Sequence, residues 1–174
     1  MSDLWKKVFF PVFSMTQLTG DSSGLFDSLR TRADEALYQP LMFSLTDRTD
    51  IVLAITACCD AQIALSEIPG VFAHRTYEVV IGSQDNTKTE IRGSVGGSPL
   101  YEVNTPQILN CNASRLFWIT WSSGTISVGT GSVPQQDRLL YFQDPQWHPV
   151  NSMSVMTPAG VAGTWQTSGF VGKH

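Results

Sequence analysis

The sequence predicts an all-β fold, an antiparallel sandwich of two sheets with a short N-terminal helix. Three observations predict it. From Leu41 onward apolar residues recur at period two, in segments of roughly five to eight residues. Gly, Pro, Asn, Asp and Ser stand between those segments. Charged residues supply only 15% of the 174 residues and Phe, Trp and Tyr 10%, a mixture that suits pleated strands better than charged surface helices.

Before this pattern begins, Leu25, Phe26, Leu29, Ala33, Ala36 and Leu37 follow helical spacing, with caps at Asp21, Ser22 and Ser23 and a stop at Pro40. Residues 1–40 are therefore expected to form an extension that carries the helix and packs on a domain of residues 41–174. The expected strands are Leu41 to Thr46, Ile51 to Ala57, Ala61 to Ser66, Thr76 to Ile81, Lys88 to Arg92, Leu116 to Trp121, Thr125 to Gly129, Arg138 to Phe142, Ser152 to Met156 and Gly163 to Thr167. Ser122-Ser123-Gly124 joins two of them as a hairpin. Leu116 to Trp121 carries apolar groups on both faces, as a central strand does. Residues 93 to 99 read as a loop.

Composition removes several classes of function. A formal net charge of −4 and a pI near 5.2 leave no basic footprint for nucleic acid. No apolar run is long enough to span a bilayer. The stretch Lys6 to Phe13 is too short and too interrupted by Pro11 for a signal peptide, so the expected location is cytoplasmic, or secreted without a recognisable signal peptide. The sequon Asn112-Ala113-Ser114 matters only in a secreted protein. Cys58, Cys59 and Cys111 are odd in number and lack a CxxC pair, which argues against a disulfide framework and a zinc site; Cys58 and Cys59 are expected as one buried and one outward thiol on a strand.

The strand series includes Asp60-Ala61-Gln62-Ile63-Ala64-Leu65, Tyr77-Glu78-Val79-Val80-Ile81-Gly82, Asn86-Thr87-Lys88-Thr89-Glu90-Ile91-Arg92, Thr105-Pro106-Gln107-Ile108-Leu109-Asn110, Phe117-Trp118-Ile119-Thr120-Trp121, Ile126-Ser127-Val128-Gly129, Asp144-Pro145 and Gly163-Thr164-Trp165. In that order and spacing it resembles the farnesoic acid O-methyltransferase-like domain of crustacean, insect and other invertebrate proteins, over about residues 50 to 168. The resemblance implies a β-sandwich. The family name implies an enzyme, whereas related invertebrate sandwich domains imply recognition, including lectin-like carbohydrate binding. Ser83-Gln84-Asp85-Asn86 stands where the family often has Gly-Trp-Gly-Asn, so an aromatic platform is lost there.

Read for chemistry, the chain favours a binder. A methyltransferase using S-adenosylmethionine needs a Gly-rich turn and a ribose-binding carboxylate on an alternating β/α frame, and Gly96-Gly97 has no helix after it. His74, His148 and His174 form no metal cluster. No cofactor and no metal are expected. Sugar recognition needs planar polar groups and an aromatic ring for the apolar face of a pyranose. Asp85, Asn86 and Lys88 supply the first in a turn, and Trp147 with His148 supplies the second between prolines; Arg75 joins them as a candidate. The same residues have structural readings: Asp85-Asn86 as a turn former, Trp147 as a cover for the sandwich end, Trp118, Trp121 and Trp165 as core, and Arg75 and Arg92 as partners of Glu78 or Glu90 on a sheet face. The expected function is a calcium-independent lectin-like module for glycans or glycoconjugates, a homodimer or homotetramer; methylation of a small carboxylic acid and a structural protein-interaction role are the alternatives.

Overall fold

The structure, a computed structural model, describes residues 26–40, 45–70, 72 and 75–168. Twelve strands fill it: β1 (Phe26–Thr31), β2 (Gln39–Pro40), β3 (Asp50–Thr56), β4 (Ala61–Ser66), β5 (Thr76–Gly82), β6 (Lys88–Arg92), β7 (Pro99–Asn104), β8 (Arg115–Ser122), β9 (Thr125–Thr130), β10 (Arg138–Gln143), β11 (Ser152–Met156) and β12 (Gly163–Ser168). They form two six-stranded sheets, ordered β1-β12-β3-β8-β9-β10 and β2-β11-β4-β5-β6-β7. Every registered pair is antiparallel. No helix among the described residues is long and apolar enough to cross a membrane.

Alternation along each strand puts one apolar set between the sheets. Ile51, Leu53 and Ile55 of β3, Phe117, Ile119 and Trp121 of β8, and Ile126 and Val128 of β9 face Ile63 and Leu65 of β4, Tyr77, Val79 and Ile81 of β5, and Met153 and Val155 of β11 in one buried cluster. β8 sits between β3 and β9, as its two apolar faces require. Its outward Trp118 is also fully buried: the chain between β9 and β10 folds over it, and Trp118 Nε1 donates to the Gln136 carbonyl at 2.7 Å. The β8–β9 hairpin turns through Ser123 (φ 47°) and Gly124 (φ 81°) with Ser122 opposite Thr125. Two left-handed residues give the turn the twist of the strands it joins.

Two expectations are corrected. The N-terminal helix is absent from the described part of its span, because Phe26–Thr31 is β1, paired with β12 from Phe26↔Ser168 to Thr31↔Gly163; residues 21–25 lie outside the described residues, as do Lys6 to Phe13, residues 41–44 of an expected strand, His74 and His174. The edge of β12 offers six residues of backbone partners, while Leu37, which a helix would have buried, is 63% exposed. Cys58 and Cys111 form a disulfide with Cα atoms 4.2 Å apart, leaving Cys59 free. Cys58 and Cys59 lie in the β3–β4 turn, not on a strand, so the alternation argument does not reach them. Residues 93–98 form the expected loop, and Pro99–Asn104, for which no strand was expected, forms the edge strand β7, where Pro99 can sit without withholding a ladder hydrogen bond.

Candidate functional site

The six candidate residues fall at opposite ends of the sandwich. Arg75 immediately precedes β5, and Asp85, Asn86 and Lys88 follow it. The seven residues of β5 hold the two groups about 20 Å apart at the rise of an extended strand.

At the Arg75 end, the β10–β11 connection folds against the β8–β9 hairpin and Tyr77. Asp144 N donates to the Gly124 carbonyl at 2.8 Å. Asp144 Oδ1 accepts from Gln146 N at 2.8 Å, and its Oδ2 accepts from Tyr77 Oη at 2.6 Å. Burial first, and then the Asp144 carboxylate, raise the Tyr77 phenol above its ordinary value, so the hydroxyl stays a donor. The His148 ring stacks on Tyr77 with centroids 4.3 Å apart and planes 12° apart. His148 Nδ1 lies 3.2 Å from the Pro149 carbonyl. A carbonyl only accepts, so in this contact Nδ1 is the donor.

These contacts shape a shallow cleft lined by Tyr77, Trp121, Gly124, Ile126, Trp147 and His148 among others. Trp147 remains 52% exposed beside buried Trp121. Trp121 Nε1 is buried and has no acceptor, a state no other side-chain N or O shares among the described residues. An indole N–H left in this way costs free energy. Arg75, with φ 52°, stands at this end and pairs loosely with Glu67 at 3.7 Å.

At the other end, Ser83–Asn86 forms a single left-handed turn: Gln84, Asp85 and Asn86 have φ of 50°, 58° and 61°. Asp and Asn tolerate that conformation better than other side chains with a Cβ. The Asn86 amide is used within the protein, its Nδ2 donating to the Leu109 carbonyl and its Oδ1 accepting from Leu109 N, both at 3.0 Å. Lys88 Nζ pairs with Glu102 at 2.6 Å. Asp85 is exposed. This turn thus works as a clamp on the segment leading into β8.

A third polar cluster lies on the outer face of the second sheet. Arg92 bridges Glu78 at 3.0 Å and Glu90 at 2.8 Å, and both carboxylates are buried. Tyr38 donates to Glu78, Gly96 N donates to Glu78 at 3.0 Å, and Ser83 Oγ donates to Glu90 at 2.6 Å. The pairing of Arg92 with both glutamates matches the sheet-face reading of the sequence. The face of β5 carrying Thr76, Glu78 and Val80 is buried. Among the described residues no three His, Cys, Asp or Glu side chains gather as metal ligands.

Of the residues that line this cleft the sequence reading named Trp147 and His148 as candidates, and the structure sets Tyr77, Trp121 and Gly124 around them. Trp121 reads as core in the sequence, and nothing local says that the strands of Tyr77 and Trp121 end at a cleft. The turn glycine was the available signal. A Cβ on Gly124 would stand 2.9 Å from Trp147 Cβ and 2.6 Å from the Asp144 carbonyl oxygen, so that hairpin is the surface on which Trp147 rests.

A family model described as farnesoic acid O-methyl transferase matches residues 32–170. One relative, "Uncharacterized protein 5" of Haliotis asinina, is 31% identical over 112 residues, which make up 64% of this chain and 64% of that protein. The match thus spans just under two thirds of the relative's length. Among solved structures, a prokaryotic β-1,3-1,4-glucanase (lichenase) from a mouse hindgut metagenome aligns with a TM-score of 0.54 at 8% identity, covering 84% of this chain and 83% of that one. The galectin LEC-6 of Caenorhabditis elegans aligns with a TM-score of 0.50 at 11% identity, covering 82% of this chain and 96% of that one. At such identities the likeness is one of fold.

Proposed function

The chain belongs to the farnesoic acid O-methyltransferase family, and from that premise we propose that it is a carbohydrate-binding module whose site is the Trp147 cleft. The carrying observation is the half-exposed Trp147 beside a buried Trp121 whose N–H has no acceptor. A pyranose presents an apolar C–H face and a rim of hydroxyls. Trp147 serves the face, and the Trp121 indole and the His148 ring stand among the cleft's polar groups beside hydroxyls, which both give and take hydrogen bonds. Arg75 supplies a cation at the same end. The lichenase and the galectin, whose names concern carbohydrates, share the two-sheet frame and support the class of ligand.

Binding requires no metal and no cofactor in this reading. The strand pairs among the described residues are antiparallel, which differs from the parallel β/α frame on which a nucleotide-like cofactor usually rests and favours the binder over the methyltransferase that the family name implies. A single shallow site binds weakly, and self-association into a dimer or tetramer would multiply its avidity. Screening the protein on a glycan array and titrating the best glycan by calorimetry tests the proposal. Trp147→Ala is expected to lower affinity at least tenfold with an unchanged melting temperature, since the exposed ring contributes little to folding. No bound glycan at high protein concentration, or equal affinity for wild type and variant, would remove it.

A further inference from the structure

We infer that Asn112 is an N-glycosylation site, and that the chain receives this glycan and its Cys58–Cys111 disulfide in the same oxidising secretory compartment. Asn112-Ala113-Ser114 is the one Asn-X-Ser/Thr triplet in the sequence. It lies in the irregular connection between β7 and β8, and all three residues are exposed. Asn110 Oδ1 accepts from Asn112 N at 2.8 Å and from Ala113 N at 3.0 Å, so Asn110 holds the bend while the Asn112 side chain makes no hydrogen bond to the described residues. A sequon buried in a strand or tied up by its neighbours is unavailable; this one is presented.

The second observation is independent. Cys111, adjacent to the sequon, is exposed and bonded to Cys58, which is also exposed. Accessible disulfides persist where the surroundings are oxidising and are rare where thiol buffers act. The remaining thiol does not undermine the bond: burial, followed by Asp60, pushes Cys59 up to about 11, and at neutral pH the scarce thiolate is a poor attacker of the neighbouring disulfide.

The chemistry balances with two co-reactants of that compartment. The Asn112 amide nitrogen attacks C1 of a sugar carried on a lipid diphosphate; the N–C1 bond forms, the C1–O bond breaks, the diphosphate leaves with the electron pair, and the nitrogen loses one proton. Cys58 and Cys111 give up two electrons and two protons to a protein disulfide, which becomes a dithiol. β8 runs from Arg115 near the sequon to Ser122 at the cleft, about 25 Å at the rise of a strand. The glycan therefore emerges at the end opposite Trp147 and leaves the cleft open.

The test uses protein purified from its source tissue, digested without reduction and analysed by mass spectrometry before and after peptide N-glycosidase. Expected is a Cys58–Cys111 linked peptide whose Asn112 appears only after glycosidase treatment, converted to aspartate. In secreting insect cells the wild-type chain is expected to carry a glycosidase-sensitive mass increment that Ser114→Ala abolishes. Unmodified Asn112 in the native protein overturns the modification, and alkylated Cys58 and Cys111 overturn the compartment.

Discussion

Thr31 Oγ1 accepts from Trp165 Nε1 at 3.1 Å and from Thr157 Oγ1 at 2.7 Å, and reaches the Gly163 carbonyl at 3.4 Å. All three side chains are buried. Replacing Thr31 with Val keeps the shape and leaves two buried donors unpaired, at about 1–3 kcal/mol each. Denaturant unfolding of Thr31→Val should thus show a loss of ~2–6 kcal/mol at an unchanged m-value, and Thr31→Ser should recover most of it. The tyrosines make a second prediction. Tyr38 and Tyr77 are both raised above the ordinary phenol value, by burial first and then by Glu78 and Asp144. The fold therefore favours their protonated forms, a contribution fully present below the unfolded value of about 10 and lost as pH climbs past it. The unfolding midpoint should hold steady from neutral pH to about 9 and fall above about 10, and the double variant Tyr38→Phe with Tyr77→Phe should fall less over that window. At this scale the sequence singled out Trp147 and His148 because Asp144 to Pro149 is dense in turn and aromatic residues. Tyr77 and Trp121 were hidden, since a residue that lines a cleft and one that fills a core obey the same alternation.

The elements most legible in the sequence were those whose pattern and pairing agree. β4, β6 and β11 have the expected bounds, and the β8–β9 hairpin turns where Ser122-Ser123-Gly124 signals it. β1 was misread because Leu25, Phe26, Leu29 and Ala33 satisfy helical spacing, a local preference overridden by the unpaired edge of β12. β7 was missed because its residues are mostly exposed and offer no alternating apolar face. The hairpin also carries the prediction that belongs to elements. Gly124 has φ 81°, and a Cβ there would crowd Trp147 and the Asp144 carbonyl. Gly124→Ala should shift the β10–β11 connection off the hairpin, lowering glycan affinity several-fold at a stability cost of about 1–2 kcal/mol. Calorimetric titration set beside thermal melts separates the two effects, and an unchanged affinity would show that Trp147 does not depend on the hairpin for its position.

Across the whole molecule, the two ends of the sandwich differ in how they are held. At the cleft end the closing contacts are noncovalent, running from Tyr77 through Asp144 to Gly124. At the opposite end the β3–β4 turn is bonded to the segment between β7 and β8, so Cys58–Cys111 ties together two connections that each pass from one sheet to the other. Counting cysteines could not reveal this, because an odd total describes pairs poorly and adjacency in the fold joins residues 53 apart in sequence. A crosslink closing a loop of that length restricts the unfolded chain by about 4 kcal/mol in the chain-entropy model, within a usual range of roughly 2–5 kcal/mol. The double variant Cys58→Ser with Cys111→Ser should accordingly unfold at a clearly lower guanidinium concentration, and reductant should move the wild-type midpoint toward it while leaving the variant unmoved. Because the bond lies at the far end from Trp147, glycan affinity measured well below the variant's midpoint should match wild type; a loss of affinity there would mean that the two ends are coupled through the sheets.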